Sequence, residues 1–309
     1  MNKNLNKAKS AKIDEFYTQL PDIERELKHY WEHFKGKVVY CNCDDPFSSK
    51  FFQYFSLNFK KLELKRLITT CYSGRNGNSG SAFRLVYDGE QNVNNMPDFS
   101  HIDIRGLEGD GDFRSPECVE LLKQADIVVT NPPFSLFREF VDQLVRYKKQ
   151  FLIIGNDNAI TYKGIFRLIK DNRIWIGYGK VKEFSKPDGS TQKFGNIGWF
   201  TNLETQKRHE ELIIIKTYKG NEQDYPKYDN YDAIEVSRVK DIPMDYDGVM
   251  GVPINFLDKH NPDQFDLIGC NRDVNQDPSG VYGRGSILGS RETFKRLFIQ
   301  RRSNNRHEN

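Results

Sequence analysis

Apolar residues recur along this chain at two different periods. Ile23, Leu27, Tyr30, Trp31 and Phe34 fall at helical spacing, which predicts an amphipathic helix over 22–35 ended by Gly36. A short apolar run, Val38-Val39-Tyr40-Cys41-Asn42-Cys43, follows and stops at Asp44-Asp45-Pro46, as a buried strand ending in an acidic turn does. Phe51, Phe52, Phe55 and Phe59 predict the next helix, and Leu67 to Tyr72 the next strand. Residues 73–98 are rich in Gly, Asn and Ser around Phe83–Tyr87, which reads as a surface insertion holding a short strand or hairpin.

Ser115-Pro116-Glu117 combines an N-cap, a first-turn proline and an early acid, and starts a helix to Lys123. Asp126 to Thr130 is a strand followed at once by Asn131-Pro132-Pro133-Phe134, and Leu136 to Val145 is apolar at helical spacing. Strands at 151–155, 174–177 and 197–200, with a helix at 158–170, complete the series. A loop rich in Lys and Gly, 178–196, separates the last two strands. Strands alternating with helices predict an α/β fold with a doubly wound, mainly parallel sheet. After about residue 204 the alternation fades and Tyr, Asp, Pro and Gly accumulate. The expected division is a core over 14–203 and an irregular region over 204–309.

The chain has 309 residues, of which 37% are hydrophobic and 13% aromatic, so it is globular and too rich in aromatics for disorder. The net charge of +3 does not by itself announce a polyanion partner. Lysines crowd before Asp14, and Arg291, Lys295, Arg296, Arg301, Arg302 and Arg306 crowd near the other end. Charge alone reads these as solvated tails; phosphate contact is the other reading. Five scattered cysteines, an odd count, and no apolar leader point to a reducing cytoplasm. No second Cys/His pair stands at zinc spacing, so no metal site is expected. No apolar run exceeds strand length, so no membrane span is expected.

The chemistry concentrates at Asn131–Phe134. In an open α/β sheet, ligands bind beyond the carboxyl ends of the strands, and this loop stands at such an end. An adenine-like exocyclic amine is a poor nucleophile because its lone pair is delocalised into the ring. Two acceptors aimed at its N–H bonds favour a more tetrahedral nitrogen. The Asn131 side-chain oxygen and the Pro132 carbonyl are suited to this, and two prolines fix the backbone. Phe134 offers a face for stacking a base that has left its duplex. The competing reading is a strand-ending turn. The position directly between a strand and a helix favours the chemical one. Asp44 and Asp45 end the first strand, Cys71 and Tyr72 the second, and Asp112 and Phe113 a third strand region. Each acid alone reads as a loop cap, but together they suggest a nucleoside pocket, which Asp14–Thr18 is placed to close.

With those residues in view, the chain resembles the EcoRI-type adenine-specific DNA methyltransferases. The likeness rests on Asp14–Thr18, Val39–Pro46, Gly109–Ser115, Asp126–Glu139, Pro226–Ile234 and Gly248–Pro253, and it runs along most of the chain. It implies a Rossmann-like fold, S-adenosyl-L-methionine as methyl donor and N6-methyladenine as product. It also implies a double-stranded DNA substrate and a functional pairing with a restriction endonuclease. Carried over by position, Phe16, Tyr17, Thr18, Asn42, Asp44, Asp45, Cys71, Tyr72, Asp112 and Phe113 form the cofactor site, and Asn131, Pro132, Pro133 and Phe134 hold the target base. Two departures from the general methyltransferase pattern stand out: the first loop has no Gly-x-Gly, and the second strand ends in Cys71-Tyr72 where a ribose-binding acid is usual. Lys180, Lys182, Lys186 and Lys193 are the candidate phosphate contacts, with 204–309 reading the target. The expected protein is a cytoplasmic monomer. Methylation of RNA adenine, DNA binding without catalysis, and nuclease activity are the other classes, the last lacking a convincing metal-binding acid string.

Overall fold

In the computed structural model the residues described are 17–43, 45, 47, 49–72, 82–92, 96–98, 100, 102–185, 190–271 and 285–302. They divide into two units, 1–157 with 177–203, and 158–176 with 204–309.

In the first unit, β1 (Tyr17–Thr18) precedes α1 (Leu20–Leu27). A 3-10 turn over Lys28–Tyr30 joins α1 to α2 (Trp31–Phe34), so the single helix expected over 22–35 is interrupted. The buried Glu26 explains how α1 is held. Its carboxylate accepts from Tyr178 N and Gly179 N, both at 2.7 Å, and from Tyr30 Oη at 3.0 Å. A Cβ at Gly177 would stand 2.2 Å from Glu26 Oε1, so this approach requires glycine. Burial beside Glu26 pushes the Tyr30 hydroxyl far above its usual range and keeps it a donor.

β2 (Val38–Cys41) is buried along its whole length, as its unbroken apolar run predicts. α3 (Lys50–Leu57) is capped by Ser49, whose hydroxyl accepts from Phe51 N and Phe52 N. β3 (Arg66–Thr70), β4 (Phe83–Tyr87) and β5 (Asp103–Gly106) follow. Then come α4 (Pro116–Gln124), capped by Ser115, β6 (Ile127–Thr130), a 3-10 turn over Phe134–Leu136, α5 (Phe137–Arg146) and β7 (Gln150–Asn156). The helix expected over 158–170 is a 3-10 turn, Asp157–Thr161, followed by α6 (Lys163–Lys170) in the second unit. β8 (Trp175–Lys180), β9 (Glu183–Ser185), β10 (Thr191–Lys193) and β11 (Ile197–Thr201) complete the series.

The strand order in the large sheet is β5-β4-β3-β2-β6-β7-β11-β8. The centre, β3-β2-β6-β7, is parallel. β4 on β3, β5 on β4 and β11 on β7 are antiparallel, so the parallel character stops at the flanks. No helix is described between β3 and β5, and a parallel step needs a crossover that antiparallel neighbours do not. One face of the sheet is covered by Ile23, Leu27, Phe34, Phe51 and Phe55, which pack with Val39, Val129 and Trp199. β9 pairs with β1 and β10, so part of the expected Lys/Gly loop is a small three-stranded sheet anchored by the buried Phe184.

The second unit holds β12 (Ile234–Glu235), β13 (Met250–Pro253), β14 (Phe265–Cys270), β15 (Ile287–Leu288), β16 (Arg291–Glu292) and β17 (Arg296–Arg301). Its four-stranded sheet has the order β12-β13-β17-β14. The sequence pattern fades here because several strands are only two residues long and 3-10 turns join them. A two-residue strand shows no period.

Candidate active site

The parallel register brings the carboxyl ends of β2, β3, β6 and β7 to one rim. Thr130, the last residue of β6, donates through Oγ1 to the Asn42 carbonyl just beyond β2. This joins the strand that leads into Asn131–Phe134 to the first of the expected cofactor loops. Pro132 is buried, and Asn131, Pro133 and Phe134 are half-buried. Leu136 N donates to the Pro133 carbonyl at 3.0 Å, which closes the 3-10 turn. Among the described residues nothing donates to the Pro132 carbonyl. Phe134 packs its inner side against the core.

Beyond β2, Asn42 is 1% exposed, and its side-chain Oδ1 has no hydrogen-bond partner among the described residues. Cys43 adopts φ 59°, the left-handed region that glycine favours. The first loop therefore makes its turn without a glycine, on a buried cysteine. Asp45 Oδ1 accepts from Phe47 N at 3.0 Å and its carbonyl from Ser49 N at 2.7 Å, which starts α3. Thr18 in β1 is 4% exposed, and its Oγ1 likewise finds no partner among the described residues. Tyr17 pairs through its backbone with Ser185. Phe16, Asp44 and Lys186 lie outside the described residues.

Beyond β3, Cys71 is buried and Tyr72 is exposed. Gly111 lies so close that a Cβ there would be 2.1 Å from the Cys71 carbonyl, and its φ is 79°. Gly111 thus presses the 110–115 loop onto the end of β3. Asp112 and Phe113 follow β5 by several residues and do not end a strand. The Asp112 carboxylate accepts from Arg114 N at 2.8 Å, Nε at 2.9 Å and Nη2 at 2.7 Å. The Arg114 guanidinium holds the Asp112 carboxyl below its usual pKa. Arg114 Nη1 reaches Glu139 on α5 at 2.8 Å. The Phe113 ring is 2% exposed and meets Phe140 edge to face at 5.0 Å, while Gln143 Nε2 donates to the Phe113 carbonyl at 3.0 Å. The loop is therefore clamped onto the helix that follows Asn131–Phe134. Periodicity cannot show Arg114, Glu139 and Gln143 as a clamp, because the partners are distant in sequence.

At the end of β7, Asp157 pairs with Lys180 at 2.9 Å, and Asn196 Nδ2 donates to Asn156 Oδ1 at 3.0 Å. Val181 N donates to Ile197 O, which sets the end of β8 at the same rim. Lys180 is thus half-buried and already paired, whereas Lys182 and Lys193 are exposed. The sequence pattern did not announce this corner; its one local sign is the Asn156-Asp157 pair directly after an apolar run. In the second unit, Arg296 pairs with the buried Glu235 at 2.7 Å, and Arg302 with Asp266 at 2.7 Å, so these two cations are not unpaired tail charges.

Residues 4–308 match the family described as adenine-specific methyltransferase EcoRI. The chain belongs to that family. It is 48% identical over 305 residues to the type II methyltransferase M.EcoRI of Escherichia coli, covering 92% of this chain and 94% of that one. It is 43% identical to type II methyltransferase M.MpnI of Mycoplasma pneumoniae, over 86% of this chain and 85% of that one. Type II methyltransferase M.MgeORF184P of Mycoplasma genitalium is 41% identical over 86% of both. No solved structure matches the chain. As a member of the EcoRI family the chain is an adenine-specific methyltransferase with a Rossmann-like α/β fold, and its reaction requires a methyl donor.

Proposed function

We propose that this type II adenine-specific DNA methyltransferase takes its methyl group from S-adenosylmethionine and places it on N6 of an adenine turned out of a double-stranded site. The observation that carries the reading is the Thr130 hydrogen bond to Asn42, which couples the Asn131–Phe134 loop to the loop beyond β2. Buried polar atoms are nearly always paired. Asn42 Oδ1, buried and without a partner among the described residues, suits a polar ligand beyond β2, and Thr18 Oγ1 in β1 is likewise buried and without a partner among them. Bound there, S-adenosylmethionine supplies an electrophilic methyl group on a sulfonium.

This chain's residues supply the rest. Asn131 Oδ1 and the Pro132 carbonyl accept from the two N–H bonds of the amine, which localises its lone pair toward the donor. The fixed φ of both prolines keeps those acceptors from rotating away. Phe134, held on its inner side by the core, stacks the base with its outer face. Asn42, Thr18, Tyr17, Asp45, Cys71 and Tyr72 are assigned to the donor, as are Phe16 and Asp44, their neighbours in sequence. Asp112 and Phe113 shape its adenine end: Phe113 is buried on Phe140, so its part is to position Asp112 and the loop backbone.

DNA contact is assigned to Lys182 and Lys193, with Lys186 in the same segment and Lys180 in a lesser part because Asp157 offsets its charge. The 204–309 region is assigned target reading, and 14–203 catalysis. Among the described residues no helix is long and apolar enough to cross a membrane. The reading places the enzyme in the cytoplasm, as its buried free cysteines suit, and paired with an endonuclease of the same specificity. A monomer is the proposed active form.

The test is to incubate the protein with labelled S-adenosylmethionine and either duplex DNA or structured RNA, then sequence the DNA for N6-methyladenine. Label in a recurrent duplex sequence is the expected result. Label in RNA alone would move the enzyme to another substrate, and no label with intact cofactor binding would mark a binding protein.

A further inference from the structure

Gly155 is a buried residue of β7, one step before the end of the strand. Glycine weakens a strand, because it has no side chain to pack and the most freedom to lose. Its φ lies outside the left-handed region, so space and not conformation calls for glycine here. A Cβ on Gly155 would stand 2.5 Å from Phe137 Cε2, 2.7 Å from Phe137 Cζ and 2.9 Å from Phe200 Cε2. The residue paired with it on β11 is Gly198, so neither strand carries a side chain at this level of the sheet. Phe137 is 2% exposed and Phe200 is fully buried, and the two rings meet edge to face with centroids 5.0 Å apart. The Phe137 ring therefore has little room to swing aside. All four residues belong to the first unit.

Phe137 is the first residue of α5 and directly follows the 3-10 turn that begins at Phe134. Its backbone N–H donates to the Phe134 carbonyl, and Leu136 N donates to the Pro133 carbonyl at 3.0 Å. At its other end the Asn131–Phe134 loop leaves Thr130, which pairs with Ile153 of β7. The loop is thus tied to β7 twice, at Ile153 through strand pairing and at Gly155 through the Phe137 ring. Pro132 and Pro133 have fixed φ, so the segment between the two ties absorbs little displacement by rotation.

We propose that Gly155 is a positioning residue for methyl transfer. The missing side chain seats the Phe137 ring, and the seated ring sets where Asn131 and the Pro132 carbonyl stand against the target amine. This rests on the reading above that the Asn131–Phe134 loop holds the adenine. Carbon atoms in contact need about 3.5 Å, so a methyl group on Gly155 pushes Phe137, and the turn bonded to it, by about 1 Å. A misplacement of that size costs up to about a hundredfold in rate. The loops beyond β2 and β3, assigned to the donor, lie on the other side of β6 from β7 and outside this path.

The test uses the full chain, duplex DNA and S-adenosylmethionine, and measures single-turnover methyl transfer, cofactor Kd and melting temperature. Saturating both substrates well below every melting temperature confines the rate to folded enzyme, so lost stability alone does not slow it. Gly155→Ala is expected to slow transfer by about tenfold or more while the cofactor Kd stays near the parent. Phe137→Leu loosens the seat and is expected to slow transfer as well. The double variant puts the new methyl group where the ring was removed, and is expected to outpace both single variants. Parental transfer in Gly155→Ala would overturn the proposal, as would a loss of rate matched by an equal loss of cofactor affinity. If Gly155→Ala does not fold, a double variant no faster than Phe137→Leu would overturn it. Asn131→Ala, run alongside, separates this role from the reading beneath it. Parental transfer in Asn131→Ala would remove the loop from the chemistry and Gly155 with it. Slow transfer in Asn131→Ala beside parental transfer in Gly155→Ala would remove the positioning role alone.

Discussion

Thr130 ends the central strand β6 with its hydroxyl on the Asn42 carbonyl, so two loops that are far apart in sequence are set by one hydrogen bond. Thr130→Val keeps the shape and removes the donor. The change is expected to cost about 1–3 kcal/mol in denaturant unfolding, because a buried carbonyl loses its partner. A raised Kd for S-adenosylmethionine should accompany it. An unchanged cofactor Kd would separate the β2 loop from the donor site.

Asn131→Ala is expected to lower methyl transfer by roughly a hundredfold or more while leaving cofactor affinity near the parent, because the proposed role of Asn131 is on the target amine and not on the donor. Single-turnover rates and calorimetry on the same preparation give both quantities. Near-parental turnover would remove Asn131 from the chemistry.

The Arg114 guanidinium joins Asp112 to Glu139 across the loop and α5. These groups are partly exposed, so Arg114→Leu is expected to cost no more than about 1 kcal/mol in stability. It should also raise the cofactor Kd, through loss of loop position. Full retention of cofactor binding would make the Asp112–Arg114 pair a loop cap and nothing else.

Among the candidate phosphate-binding lysines the structure sets an order. Replacing exposed Lys182 and Lys193 with Gln is expected to flatten the salt dependence of DNA binding by about 0.9 for each phosphate left without its lysine. Lys180→Gln should change it less, since Asp157 already balances that charge. A larger effect at Lys180 than at Lys182 would reverse the assignment.

His260 in the second unit lies beside Phe265 O, and burial lowers its pKa from 6.5 to about 4. Its unfolded form therefore binds a proton between about pH 4 and pH 6.5 that the folded form does not. Stability of the second unit is expected to fall as pH drops through that window. Urea titrations at several pH values should show the slope, and His260→Gln should remove this component. An identical slope in the variant would assign it to other groups.

The central strands were legible because a strand buried on both faces is an unbroken apolar run, as in Val38–Cys41 and Ile127–Thr130. Asn131–Phe134 was legible for a different reason: consecutive prolines restrict the backbone whatever surrounds them. Less legible were the antiparallel flanks. Ile104 is 50% exposed on the edge strand β5, so Asp103–Gly106 carries no apolar alternation to announce it. The expected Lys/Gly loop hid two short strands because Phe184 is their one fully buried anchor, too few for a period.

The sequence by itself determined that a rigid, N–H-poor turn would follow a buried strand, since proline geometry and apolar continuity are local properties. Only the tertiary structure decided which loops share a rim with that turn. Parallel pairing stacks the carboxyl ends of β2, β3, β6 and β7, and so lets Thr130 meet Asn42. The close approach at Gly111 and the reach of Arg114 to Glu139 bring the 110–115 loop to the same end. The hydrogen bonds involved join residues from 25 to 88 positions apart. Their partners are chosen by strand order and register, which depend on how the whole sheet packs and leave no period in the chain.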